Sequence, residues 1–252
     1  MSIRVSTLNG VTAIEIARPE KKNALSLAMY DAMTHALNAA AVDDAVRALL
    51  IAGQPGVFTS GNDLEDFMAH PPADEDSPVY RFMNTLHACD KPVVAAVSGP
   101  AIGIGVTMLL HCDLVYVSED AKLAMPFVAL GLAPEFASSL LLPQLIGHVK
   151  AFEKLVLGTP FTGIEAVDLG LANAALPADQ VLAHARRVAE SFNALPAGAV
   201  RESKRLLRAG LKQSVERAMR EEATVFVERL RSSEAKDAIR AFLQKRRPTS
   251  GT

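Results

Sequence analysis

Residues 92–113 read Pro-Val-Val-Ala-Ala-Val-Ser-Gly-Pro-Ala-Ile-Gly-Ile-Gly-Val-Thr-Met-Leu-Leu-His-Cys-Asp. Residues 93–97 form a short valine-rich apolar run, the pattern of a strand buried on both faces. Ser98, Gly99 and Pro100 end it, and Gly103 and Gly105 lighten the backbone just beyond. Residues 106–112 read as an apolar helix. A strand that feeds a glycine-bearing turn into a helix leaves backbone N–H groups without intrahelical partners. Such groups bind anions or stabilise an oxyanion. The same pattern also serves as a plain packing turn in an α/β core.

Upstream, residues 4–8 and 11–17 read as two strands joined at Asn9-Gly10, a strong short hairpin signal. Residues 18–23 form a polar loop. Ser26 opens a helix over 27–40, with Leu27, Met33 and Leu37 at helical spacing. A buried strand is expected over 46–52 and a short one over 57–60. Residues 70–78, rich in Pro, Asp and Glu, read as a surface loop, and 79–89 as a helix. Downstream, 114–118 and 122–125 read as strands, and 135–145 and 149–157 as helices. Thr162 and Glu165 have capping-box spacing, and 173–176 reads as a short strand. Amphipathic helices are expected over 181–193, 197–209, 215–230 and 234–244. The expected division is an α/β core over 1–178 and a helical region over 179–252.

Composition narrows the function. The 252 residues carry a formal charge of -2, and half of them are hydrophobic, enough for a sizeable core. That charge gives no footprint for nucleic acid. No apolar run reaches the roughly 18 residues of a membrane span. The first residues are too mixed for a signal peptide, so a cytoplasmic location is expected. Cys89 and Cys112 read as reduced, buried thiols rather than a disulfide framework. The six histidines lack metal-ligand spacing, so no metal is expected, and His111, on an apolar helix, reads as a core histidine.

Four segments together resemble the crotonase superfamily, the enoyl-CoA hydratase/isomerase family. They are Arg18-Pro19-Glu20-Lys21-Lys22-Asn23-Ala24-Leu25, Phe58-Thr59-Ser60-Gly61-Asn62-Asp63-Leu64, the stretch 91–113, and the late segment 199–204 that ends in Lys204. The resemblance implies an α/β ββα spiral on two sheets, with a C-terminal α-helical trimerisation region and a homotrimer or hexamer. It implies an acyl-CoA thioester substrate, coenzyme A being part of the substrate rather than a separate cofactor, and a place in fatty acid metabolism. Carried over position by position, the amides of Asn62 and Ile104 hold the thioester oxygen. Ala24, Ser60, Gly61, Asp63, Leu64, Gly103 and Phe127 join them as substrate-binding positions.

Hydratases of this family use two glutamates. Thr107 and Phe127 stand at those positions here, and neither is a base. The segment Pro134-Glu135-Phe136-Ala137-Ser138-Ser139 instead resembles the Pro-Glu-x-x-Ser-Ser segment of peroxisomal-type Δ3,Δ2-enoyl-CoA isomerases. The resemblance implies that Glu135, at the start of a helix, moves a proton from C2 to C4 of a 3-enoyl-CoA. An acid in a helix first turn also has an ordinary electrostatic reason to be there. Two other readings stand beside the isomerase: a hydratase or other crotonase-type lyase with an atypical base, and a non-catalytic acyl-CoA-binding member.

Overall fold

The computed structural model describes residues 2–74 and 76–246. The first half contains β1 (Ile3–Leu8), β2 (Val11–Ile16), α1 (Leu27–Val42), β3 (Ala48–Ala52), α2 (Leu64–Ala69), α3 (Pro78–Ala88), β4 (Val93–Val97), β5 (Ala101–Ile102) and α4 (Ile104–Thr107). Then come β6 (Leu114–Ser118), β7 (Lys122–Ala124), α5 (Ser138–Ile146), α6 (His148–Phe152), β8 (Phe161–Thr162), α7 (Gly163–Asp168) and β9 (Ala174–Leu176). Four helices complete it: α8 (Ala178–Ser191), α9 (Ala197–Ala209), α10 (Lys212–Arg231) and α11 (Ser233–Arg246).

Among the described residues, one sheet has six strands in the order β1-β2-β3-β4-β6-β9, and a second has three in the order β5-β7-β8. Only the β1–β2 pair of the larger sheet is antiparallel. Asn9 and Gly10 both take positive φ, and Leu8 pairs with Val11, so the hairpin closes on a two-residue turn. Alternate residues of β3 and β4 go to opposite faces. Leu49, Ile51, Val93, Ala95 and Val97 join the cluster under α1 and α3, while Ala48, Leu50, Val94 and Ala96 meet Val181, Ala185 and Ala189 of α8. Coverage on both faces explains why β4 is apolar throughout.

A polar node fastens α9 to this sheet. Asp113 accepts the Val93 N–H at 2.8 Å, Lys204 Nζ at 2.6 Å and Arg208 Nη2 at 2.9 Å. Lys204 is buried and also donates to the Lys91 carbonyl at 2.7 Å. These residues therefore have structural work that accounts for their burial.

Several local expectations are corrected. Residues 57–60 form no strand; Gln54–Val57 and Thr59–Ala101 make only isolated bridges. The helix expected over 106–112 is α4 followed by a 3-10 turn, Met108–His111. Ser26 has the extended backbone of an N-cap but no side-chain cap bond. The Leu27 N–H is accepted instead by Asp66 Oδ2, 2.8 Å away, a cap supplied from α2. The Thr162–Glu165 capping box forms as expected. Glu135 does not start a helix: Phe136 and Ala137 adopt φ of 59° and 54°, so α5 begins only at Ser138. The first-turn account of Glu135 therefore does not apply.

Candidate active site

Two turns meet beyond the ends of β3 and β4. The amides of Phe58 and Thr59 both donate to the Pro100 carbonyl, at 3.1 and 3.0 Å, and the Ile102 N–H donates to the Thr59 carbonyl at 3.0 Å. Gly61 sits against the second turn with φ 88°, and a Cβ there would lie 2.8 Å from the Ile102 carbonyl oxygen. Only glycine suits both the backbone angle and the approach. Leu25 brackets Asn62: its N–H donates to Gly61 and its carbonyl accepts from Asp63, each at 2.8 Å. The Asn62 amide is skipped by that bridge, and the Ile104 amide is the first of α4. Among the described residues neither has an acceptor.

Both residues face a cavity of about 340 Å³. Ser60, Gly61, Leu64 and Gly103 share its wall, with Phe127, Leu130 and Leu132 opposite and Phe226, Ala238 and Phe242 closing it from α10 and α11. The cavity is largely apolar, with polar groups at the two turns. Ala24 and Asp63 are not on this wall. The Ala24 carbonyl accepts from Arg18 Nη1 at 3.1 Å. Asp63 is buried, caps α2 through the amides of Glu65 and Asp66, and binds Arg18 Nη1 at 2.8 Å. Both act on the shape of the loop that carries Asn62. The family resemblance implies that both bind the substrate; the structure gives them places in the loop's support instead.

Glu135 is not among the residues that line this cavity, although Leu132, three residues before it, is. Glu135 is only 4% exposed, and its Oε1 is fully buried with no hydrogen-bond partner. Burial, reinforced by the Glu222 charge, pushes its carboxyl up to about 8. The Glu135 charge in turn adds to the burial that raises the phenols of Tyr30 and Tyr80. Tyr30 donates to Asn62 Oδ1 at 2.5 Å, so one buried phenol links the surroundings of Glu135 to the first turn. Thr107 and Phe127 are buried, and Thr107 Oγ1, like Ser138 Oγ, has no partner.

The turn that carries Glu135 is strained and held from outside. Two consecutive non-glycine residues with left-handed φ cost roughly 1–2 kcal/mol each. His111 is buried, stacks on the Phe136 ring at 3.8 Å and bonds the Phe136 carbonyl through Nε2 at 2.8 Å. A carbonyl only accepts, so Nε2 carries the proton. Burial lowers the His111 pKa to about 3, which keeps the ring neutral. Glu222 of α10 accepts the Ala137 N–H at 2.5 Å and the Ser139 N–H at 2.8 Å. Sequence reasoning missed Glu222. Its signal was there: the buried residues of α10 are Val215, Met219, Glu222, Phe226 and Leu230, an acid inside an apolar stripe. Among the described residues no cluster could hold a metal ion, no helix is long and apolar enough to cross a membrane, and both cysteines are free thiols.

An α/β spiral with paired amides over an apolar cavity and a buried carboxyl defines a crotonase-fold enzyme. The chain belongs to the enoyl-CoA hydratase/isomerase family, whose model matches residues 6–251. It is 35% identical over 250 residues to rat (Rattus norvegicus) enoyl-CoA delta isomerase 2, covering 97% of this chain and 64% of that one. The chain thus spans somewhat under two thirds of that relative. A probable enoyl-CoA hydratase of Bacillus subtilis is 33% identical, with 90% of each chain covered. Among solved structures, Pseudomonas aeruginosa OdaA is 52% identical with a TM-score of 0.95, covering 96% of this chain and 98% of that one. An enoyl-CoA hydratase/isomerase from Pseudoalteromonas atlantica is 40% identical with a TM-score of 0.92 and full coverage of both chains.

Proposed function

We propose that this enzyme shifts the double bond of a 3-enoyl-CoA to the 2 position, using Glu135 as its one general base. The observation that carries the reading is the buried Glu135 carboxyl, with no hydrogen-bond partner on Oε1 and a pKa raised to about 8, in a chain whose largely apolar cavity is lined by Asn62 and Ile104, the amides of which have no acceptor among the described residues. The thioester carbonyl sits between the Asn62 and Ile104 amides. The Glu135 carboxylate takes a proton from C2, and the electrons of that bond form a dienolate whose negative charge reaches the thioester oxygen. Two donors aimed at that oxygen stabilise the charge where it develops. The proton held by Glu135 then passes to C4, the double bond settles between C2 and C3, and the carboxylate is restored. A base near neutrality suits both transfers.

Thr107 and Phe127 support this reading over hydration, since neither activates water. The delta isomerase relatives support it as well. Relatives named as hydratases favour the second reading, a hydratase with an atypical base. Supplying the purified protein with 3-enoyl-CoA and 2-enoyl-CoA separately decides between them. Double-bond migration without water addition is expected; brisk hydration of the 2-enoyl thioester with no migration overturns the isomerase. The proposed setting is fatty acid oxidation in the cytoplasm, by a homotrimer or hexamer. Leu206 and Leu207 on α9 are exposed apolar residues that a subunit contact would cover.

A further inference from the structure

We propose that Glu222 is a positioning residue for Glu135: its carboxylate, bonded to the Ala137 and Ser139 amides, holds the left-handed pair Phe136-Ala137 in the shape that presents the Glu135 carboxyl. The inference rests on the reading of Glu135 as the base and names the device that places it.

Three hydrogen-bonding groups of the turn are satisfied from far away in sequence. The Ala137 and Ser139 amides go to Glu222, 85 and 83 residues on, and the Phe136 carbonyl goes to His111, 25 residues back. Within the turn only the Ser138 N–H reaches back, to the Glu135 carbonyl at 3.1 Å. Phe136 and Ala137 are not glycines, so the left-handed conformation needs that outside support. Glu222 itself is buried on the apolar stripe of α10, between Met219 and Phe226, and its two amide contacts are what make an acid tolerable there.

The arrangement also sorts the charge. Glu222 accepts two N–H bonds, which favour its ionised form, whereas Glu135 Oε1 has no donor. Burial raises the Glu222 carboxyl too, but its bonds to Ser139 and Ala137 work against that rise, whereas burial and the Glu222 charge both raise Glu135; of the two, Glu222 is the better placed to hold the anion. Tyr30 on α1 and Tyr80 on α3 are the other titratable groups coupled to Glu135, and burial keeps both phenols neutral. His111 faces the turn as a neutral ring. Glu222 thus shapes the turn and tunes the base.

The experiment compares wild type, Glu222→Gln and Glu222→Asp by kcat and KM for a 3-enoyl-CoA from pH 6 to 9.5. Glutamine offers one acceptor oxygen and an NH2 where the second amide needs an acceptor. Its kcat is expected to fall about a hundredfold, the size of effect that a misplaced catalytic group produces, with KM little changed. The acid limb of its pH profile should move to lower pH by about one unit, since the repelling charge is gone. Aspartate keeps the charge, so its acid limb should stay at the wild-type position while kcat falls less. If Glu222→Gln does not fold, the aspartate variant decides alone: wild-type kcat overturns the proposal. Glu222→Gln with wild-type kcat and an unmoved acid limb overturns it as well, as does a loss carried wholly by KM. Carboxyl 13C NMR titration of Glu135 in wild type and Glu222→Gln reads the coupling without turnover. If wild type leaves 3-enoyl-CoA untouched, the isomerase reading fails, and the titration still decides whether Glu222 acts on Glu135.

Discussion

The two halves of the candidate site are built in opposite ways. The amide half, residues 58–63 and 100–104, is set by main-chain chemistry: two glycine turns from separate segments, stitched to each other and to Leu25 by backbone bonds. The base half, residues 135–139, is set by tertiary contacts: two left-handed non-glycine residues held by His111 and Glu222. Backbone donors depend little on side-chain identity, so the first half tolerates substitution at Ile104 and Asn62. The second half places a side chain, and every group that holds it must be present. The contrast predicts that changes in the base half act on the rate and its pH dependence, whereas changes in the amide half act on transition-state binding or on loop stability.

The sharpest way to separate the halves is Glu135→Gln. Its turnover of 3-enoyl-CoA is expected to fall by about a hundredfold to ten-thousandfold, while binding of a saturated acyl-CoA, measured by calorimetry, stays near wild type. Wild-type turnover in this variant breaks the assignment of the base. Next in size is Ile104→Pro, which removes one amide donor at the first position of α4, a place that admits proline. The expected loss in kcat is about a hundredfold or more, with circular dichroism unchanged; a folded variant at the wild-type rate removes Ile104 from the oxygen site.

A third test reads the base half through stability. The folded pKa of Glu135 is raised from 4.5 to about 8. The folded state therefore binds more protons than the unfolded state between those values, and stability falls as pH rises through that window. Glu135→Gln removes this penalty. Its melting temperature is expected to exceed that of wild type at pH 9 and to converge with it near pH 5. No gain at pH 9 shows that Glu135 ionises freely in the fold. The smallest expected effect lies beside the amide half, on α2. Asp66→Ala deletes the side-chain acceptor at the start of α1, and denaturant titration should show a loss of about 1 kcal/mol, with the acid limb of the rate profile unmoved.

Much of the fold was legible in the sequence because its signals are local. The hairpin at Asn9-Gly10, the apolar β4, the capping box at Thr162 and the amphipathic helices after Asp179 follow from turn chemistry and periodicity within a few residues. The glycine turns around Gly61 and Gly103 were legible for the same reason, whereas the choice of the Asn62 and Ile104 amides came from the family resemblance. Glu135 could be singled out by residue type and motif. Its surroundings could not. The sequence around it reads as the start of a helix, since Glu, Phe, Ala and Ser all enter helices. The left-handed φ values of Phe136 and Ala137 arise because Glu222 and His111 bond the turn from remote segments. Periodicity sees spacing along one chain segment, so it marked Glu222 as one position on a helical stripe. Only packing α10 against that turn brings the second carboxylate beside the first. Burial then raises the Glu135 carboxyl, because desolvation and a neighbouring charge depend on distances that folding alone creates.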